Sequence, residues 1–345
     1  SDDAYSPNGQ PGFRPDRATI VYSKILRELF PKVPIVIGGI EASLRRVTHY
    51  DYWDDELKPC ILQDCHADLL IYGMGELPLK SIVTEMKRGK KVSDLTYIPQ
   101  TAYIAHKDAI PESEDESFTL FSHHECLKDK MKQAKNYRVV EEESNKLKAR
   151  RLLQGVDKDQ VVVINLPFPP MSTETLDATY ELPFTRLPHP KYKGKTFPAY
   201  EMIKFSVNIH RGCFGGCSFC AIAAHQGKFI MSRSEESIMK EVKEIARHPE
   251  FKGYLSDLGG PSANMYKMRG RNQTLCGKCK RPSYIHPSIC KNMNTDHSEL
   301  LELYKKVDQL PCIKKSFIGS GIRYDLLLQN TNDEKTDKSH EFYTE

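Results

Sequence analysis

Arg211-Gly212-Cys213-Phe214-Gly215-Gly216-Cys217-Ser218-Phe219-Cys220 is the stretch on which the reading of this 345-residue chain turns. Its cysteines are separated by three residues and then by two. Thiolates are the soft ligands that iron–sulfur clusters take, and glycine between them lets a short loop wrap a cluster without Cβ clashes. The spacing suits a [4Fe–4S] cluster held at three of its irons by Cys213, Cys217 and Cys220, with the fourth iron open to another ligand. Zinc asks for four ligands, and here His210 or His225 would have to complete its set from flanking positions. Unreacted thiols packing as small hydrophobes are the bland alternative. Three cysteines so close, with glycine among them, fill a core poorly.

Downstream and just upstream of this loop the pattern is strand, loop, helix. Met202 to Ile209 alternates as a strand and runs directly into the cysteines. Ser234 is a candidate N-cap, with Glu235 and Glu236 in the first turn and Ile238, Val242 and Ile245 as the buried stripe of a helix. Gly253 to Leu258 reads as a second strand. Asp296 and Glu299 open another helix, with Leu300, Leu303, Tyr304 and Val307 as its core face. Lys315 to Gly319 is a third strand. Parallel strands joined by right-handed crossovers gather their loops at one end. The cluster loop, Gly259-Gly260 and the segment from Ser320 to Asp325 are therefore expected to converge.

The N-terminal part has a similar rhythm. Ala18 to Phe30 carries apolar residues at helical spacing, Val33 to Ile37 is a β-branched run ending at Gly38-Gly39, and Glu41 to Arg45 is compatible with a helix. Ala67 to Tyr72 reads as a second strand and Leu79 to Met86 as a further helix. Strand, glycine turn and helix in succession predict a doubly wound parallel α/β sheet over 1–106. Gly38-Gly39 after a strand is also a weak candidate for admitting a phosphate at a helix N-terminus. From 107 to 160 the composition turns to charge, with Pro111-Glu-Ser-Glu-Asp-Glu-Ser117 and a sign-alternating run from Glu141 to Arg151, and predicts a helical connector. A Pro-rich extended strap follows over 161–200. The part that bears the cysteine loop then occupies 201–330, with an insertion at 266–294, and a polar tail closes the chain at 331–345. His123, His124 and Cys126 are close in sequence, but adjacent histidines do not face one ion on a helix. Cys60, Cys65, Cys126 and Cys312 show no ligand spacing.

The insertion holds a second cysteine group, Cys276-Gly-Lys-Cys279 and then Cys290, among Arg269, Arg271, Lys278, Lys280 and Arg281. A CxxC turn is a good metal knuckle, and cations lower thiol pKa values. Three readings stay open: an auxiliary cluster with an open iron, a zinc site completed by His286 or His297, and ordinary thiols.

Composition narrows the classes. Fifty basic and 46 acidic side chains leave a net charge of +4, which gives no electrostatic argument for a nucleic-acid partner. No apolar run reaches membrane-spanning length, and the first residues lack the basic start and apolar stretch of a signal peptide. Ten cysteines, three of them at cluster spacing, fit a reducing cytoplasm better than a disulfide framework.

The CxxxCxxC pattern with aromatic Phe219 before its last cysteine is the signature of radical S-adenosylmethionine (SAM) enzymes. With Phe205-Ser-Val-Asn-Ile-His-Arg-Gly-Cys213, Ser256-Asp-Leu-Gly-Gly-Pro-Ser-Ala-Asn-Met-Tyr266, Gly319-Ser-Gly-Ile-Arg-Tyr-Asp325, Gly38-Gly-Ile-Glu-Ala-Ser-Leu-Arg-Arg46 and His49-Tyr-Asp-Tyr-Trp53, the chain resembles the YgiQ-type radical SAM proteins. That resemblance implies a partial cobalamin-binding-like domain followed by the first half of a six-unit radical SAM (β/α) barrel, in a chain truncated at both ends and inactive by itself. It implies SAM as well as a [4Fe–4S] cluster. The carbonyls of Gly259 and Gly260 would receive the SAM amino group, with Pro261 standing where the family often has an acidic residue. Ser320 and Arg323 are candidates for the SAM ribose and carboxylate, Arg323 being equally a salt-bridge partner for Asp325 or Asp257. The one-electron chemistry calls for a reductase or other donor. Where a fourth cysteine is expected in the insertion, after Ser283, stands Tyr284. No Asp-x-His-x-x-Gly motif supplies a cobalt ligand, so cobalamin is not supported, and His49 and His66 read as structural. The function expected is reductive cleavage of SAM to a 5′-deoxyadenosyl radical that acts on an unidentified substrate. The alternative is an iron–sulfur or zinc protein without SAM chemistry, serving electron transfer or binding.

Overall fold

The computed structural model describes residues 2–328, so the expected tail at 331–345 lies outside the described residues. The chain is a mixed α/β structure built on two sheets. The N-terminal sheet has six strands in the spatial order Val36–Ile37, Leu69–Ile71, Thr101–His106, Gln160–Ile164, Arg151–Gly155 and Ser117–Thr119. Leu70, Tyr72, Ala102, Leu152, Val162 and Ile164 pack on one face with Ala42, Ile61, Leu62 and Val140. Leu69, Ile71, Tyr103 and Val163 pack on the other with Ile82, Leu95 and Ile98. Neighbouring residues of one strand thus enter opposite cores, as the two-residue period of a strand requires. On the helix Ala18–Leu29, by contrast, only Ile20 joins the core, and Ile25 and Leu29 face outward.

This sheet corrects two expectations. Only the pairs 36–37 with 69–71 and 117–119 with 151–155 are parallel; the remaining three are antiparallel, so the sheet is mixed rather than doubly wound. The segment 107–160 is also no plain helical connector. It supplies the helix Lys130–Ser144, two strands and the turn of a hairpin whose second strand ends at Ile164. The physical reason is local. Gly155-Val-Asp-Lys-Asp-Gln160 is a turn between a strand with buried Leu152 and Gln154 and the β-branched run Val161-Val-Val-Ile164. Charge averaged over the whole stretch hides so short a signal. The strap accordingly begins after Ile164, and it includes the helix Thr173–Tyr180.

The second sheet is short and parallel. Ser206–Asn208 pairs with Asp257–Gly259, and Tyr254–Leu255 pairs with Lys315–Ser316. Ser256 N–H donates to Phe205 O at 3.1 Å and Leu258 N–H to Phe317 O at 2.9 Å, which joins both pairs into one three-stranded unit. Helices Glu235–Ile245 and Ser298–Asp308 cover it. Ile238, Val242, Ile245, Leu300, Leu303 and Val307 are buried against Val207, Leu255 and Leu258, each burial stabilising the fold by roughly 1.5–3 kcal/mol. Ser234 caps the first of these helices, its Oγ accepting from Ser237 N–H at 3.1 Å. The second is capped at His297 rather than Asp296, whose carboxylate accepts from Ser298 N–H at 2.9 Å.

Candidate functional site

The cysteine loop leaves the first parallel strand through a two-residue ribbon, His210–Arg211, paired antiparallel with Met231–Ser232. The ribbon fixes both ends of the loop. Gly212 N–H donates to Gln226 Oε1 at 2.9 Å, and Cys213 N–H to Gly227 O at 3.0 Å. Gly212 adopts φ +89°, and a Cβ there would lie 2.2 Å from Phe229 O, so no other residue fits. At the tip of the loop, Ser283 Oγ donates to Gly215 O at 2.9 Å and ties the loop to the insertion.

Gly215 marks the hollow between the thiols. A Cβ added to it would lie 3.3 Å from Cys213 Sγ, 3.6 Å from Cys217 Sγ and 3.5 Å from Arg323 Nη1. Arg323 Nη1 donates to Cys217 Sγ at 3.1 Å, while its Nε donates to Asp325 Oδ1, also at 3.1 Å. Burial pushes the Cys213 thiol up, against the pull of the Gly215 N–H on its sulfur. The Arg323 guanidinium pulls on the Cys213 thiol in the same direction as that N–H, more weakly than burial opposes them. Phe219 is 91% exposed, so the Cys220 side of the loop faces solvent. Three thiolates are the donor chemistry that an iron–sulfur cluster takes, and a side chain at position 215 would press on Cys213 Sγ.

The loops after the second and third strands meet this hollow. Asp257 Oδ1 accepts from the N–H of Gly319 at 2.8 Å, the N–H of Ser320 at 3.1 Å and the Ser320 hydroxyl at 3.0 Å. Asp257 therefore holds the third loop through Ser320, and Arg323 pairs with Asp325 and Cys217 instead. Asn264, fully buried, brackets Arg323 from both sides: its Nδ2 donates to Arg323 O at 3.0 Å, and its Oδ1 accepts from Arg323 N–H at 2.8 Å. Gly259 O accepts from Ile209 N–H at 2.8 Å. Gly260 lies against the buried ring of His210, neither of whose nitrogens has a partner among the described residues. Gly259, Gly260, Ser320 and Arg323 are thus gathered at the end of the sheet from which the cysteine loop springs. Asn264 and His210 were missed as positioning groups by the sequence reading. Asn264 stands inside the Ser256–Tyr266 motif, and that was its only signal. His225, considered above for a zinc set, turns to Ser43, with Nδ1 3.0 Å from Ser43 Oγ.

The insertion builds the second group. Cys276, Cys279 and Cys290 stand in and around the short helix Gln273–Gly277, and Cys290 N–H donates to Tyr284 O at 2.7 Å. Asn292 Nδ2 donates to Cys276 Sγ at 3.3 Å. The fully buried Lys228 reaches them from the far side of the cysteine loop. Its Nζ donates to Cys279 O at 2.8 Å and to Arg281 O at 2.9 Å, and lies 4.9 Å from the centre of the Tyr284 ring. His297 turns its Nε2 to Asn264 Nδ2 at 3.2 Å. Among the described residues no three His, Cys, Asp or Glu side chains are gathered about a single ion. Phe214 of the loop and Tyr284, Ile285 and Met293 of the insertion share one core with Met265 and Leu326, so the two cysteine groups are packed onto a common support.

Among the described residues no helix is long and apolar enough to cross a membrane. The family model described as "Radical SAM N-terminal" matches residues 1–206, ending just before the cysteine loop. A UPF0313 protein of Bacteroides thetaiotaomicron is 58% identical, covering 100% of this chain and 57% of the relative. Another from Porphyromonas gingivalis is 58% identical over 100% of this chain and 54% of its own length, and one from Methanocella arvoryzae is 44% identical over 96% and 54%. The chain spans about half the length of these curated relatives. Among solved structures, the radical S-adenosylmethionine methyltransferase TsrM of Kitasatospora setae aligns with 70% of this chain and 32% of its own, at 15% identity and a TM-score of 0.34. That likeness is too loose to carry an argument.

Proposed function

The chain belongs to the radical SAM N-terminal family, of the YgiQ type, and from that premise we propose that it forms the cluster-bearing half of a radical SAM enzyme. Cys213, Cys217 and Cys220 would hold a [4Fe–4S] cluster, and the three parallel strands would be the first of a (β/α) barrel. Bound there, cluster and SAM together supply the one-electron cleavage that yields a 5′-deoxyadenosyl radical, with the electron coming from a reductase or other donor. The observation that carries the reading is the hollow at Gly215, bounded by Cys213 Sγ, Cys217 Sγ and Arg323 Nη1.

The roles of this chain's residues follow from their places. The carbonyls of Gly259 and Gly260 would accept from the SAM amino group at the strand end, and Ser320 would meet its ribose. Arg323 would share its guanidinium between Cys217 and the SAM carboxylate, held in place by Asn264 and Asp325. His210, enclosed and neutral, offers two unpartnered nitrogens beside Gly260. Cys276, Cys279 and Cys290 would hold a second metal centre whose thiolate charge the Lys228 ammonium offsets. A buried cation that donates to the carbonyls of Cys279 and Arg281 fits such a counter-charge.

Anaerobic reconstitution of the full-length protein tests the first assignment. Changing Cys213, Cys217 and Cys220 together to Ala should remove a cluster's worth of iron and sulfide and abolish 5′-deoxyadenosine formation from SAM under reducing conditions. Retention of the parent's iron and sulfide by that variant would overturn the assignment. A parent protein that holds its cluster yet never cleaves SAM would return the reading to electron transfer.

A further inference from the structure

Arg46 is enclosed without an acid to balance it. The residue is 5% exposed, and its guanidinium donates to Ser43 O and, at 2.8 Å, to Ser144 Oγ, while Nε has no partner. Its carbon lies 4.7 Å from the centre of the Tyr72 ring. Among the described residues no carboxylate pairs with it, whereas the equally enclosed Arg233 is paired with Glu241. A buried cation without a counter-ion is costly to keep, which makes Arg46 a candidate for recognising an anion.

Arg46 lines a cavity of about 530 Å³ between the N-terminal sheet's helix Lys130–Ser144 and the short helix Ile222–Gln226 that follows Cys220. Leu44, Val47, Tyr137 and Val140 give this cavity apolar walls, and Lys130 adds a second cation. Glu141 also lines it, its carboxyl pushed up by burial and by the neighbouring Glu142. The helix 222–226 contributes Ala224, so an occupant would touch the element that begins at the end of the cysteine loop.

We propose that this cavity binds an organic anion, whose carboxylate or phosphate group is taken by Arg46 and whose apolar body lies against Tyr137, Val140 and Leu44. A size of this order suits a small molecule. Guanidinium recognises either oxyanion through paired N–H donors. The inference does not depend on radical chemistry, because binding rather than turnover reads it.

Calorimetric titration of the full-length, cluster-loaded protein with phenylacetate, phenyl phosphate and the neutral control benzyl alcohol tests it. At least one anion should bind roughly tenfold or more tightly than the alcohol, the gain expected of charge-assisted hydrogen bonds, and the tighter of the two anions identifies the preferred group. Arg46→Gln should erase that preference. Ala134→Trp, which fills the cavity from its open side while leaving Arg46 in place, should weaken every probe and covers the case in which the Arg46 variant misfolds. Equal binding of anions and alcohol, no anion binding at all, a preference that survives Arg46→Gln, or affinities untouched by Ala134→Trp would each overturn the proposal.

Discussion

The two cysteine groups share a supporting core yet differ in how they are closed. Around Cys213, Cys217 and Cys220 the loop is open, Phe219 is exposed, and the nearby cation, Arg323, is divided between a thiol and Asp325. Around Cys276, Cys279 and Cys290 the cation is Lys228, sealed under the Tyr284 ring and bound to two carbonyls. An open rim with a shared guanidinium suits a centre that exchanges a ligand. A sealed ammonium suits one that does not. On this comparison the first group would be the reactive centre of the proposed enzyme and the second a structural or electron-relaying one.

The sharpest way to break the comparison is to remove each set in turn. Cys213→Ala/Cys217→Ala/Cys220→Ala should strip the first centre and leave the metal of the second, and Cys276→Ala/Cys279→Ala/Cys290→Ala should do the reverse. Elemental analysis with sulfide assay reads both. A second variant with an unchanged metal content would reduce Cys276, Cys279 and Cys290 to ordinary thiols.

Gly212→Ala comes next. It forces a side chain into a left-handed backbone and against Phe229 O, so strain and overpacking together should cost about 2–5 kcal/mol. Urea unfolding at constant slope measures it. The damage should fall on the first centre, with less iron per chain after reconstitution, because Gly212 sets the path of the loop into Cys213. A fully stable variant would mean that the ribbon does not hold the loop as described.

Lys228→Met keeps the length of the side chain and removes its charge. The carbonyls of Cys279 and Arg281 each lose a donor, but a buried ammonium is relieved as well, so the net loss should be about 1–3 kcal/mol. Metal retention at the second group should fall while the first keeps its iron. Equal losses at both would show that Lys228 supports the shared core rather than the second thiols.

Much of the part from 201 onward was legible because its signals are local and strong. Ser234 caps its helix as its position predicts, and Val207, Leu258, Ile238 and Leu303 meet in the core that their spacing requires. The N-terminal sheet was legible only in its first two strands. Parallel and antiparallel neighbours look alike in a run such as Leu69–Ile71, since the direction of pairing is decided by Thr101–His106, more than twenty residues away. Lys228 was not legible as a site residue, and Arg46 and Asn264 were legible only as members of longer motifs. A cation or amide in sequence reads as surface, and only the fold reveals that each of these is enclosed.

The smallest effect should appear only in acid, and it falls on the side of the first group. Burial holds the His210 imidazole, beside the first group, down at about 3 against an ordinary 6.5, so the folded chain keeps it neutral where the unfolded chain takes up a proton. The unfolded state therefore binds more protons below 6.5, and stability should decline as pH falls from there toward 3. His49, held down to about 4 by burial, adds to the same decline. Urea midpoints at pH 7 and pH 5 should fall less for His210→Leu than for the parent. An identical fall would place the acid sensitivity elsewhere and leave His210 exchanging protons freely in the folded chain.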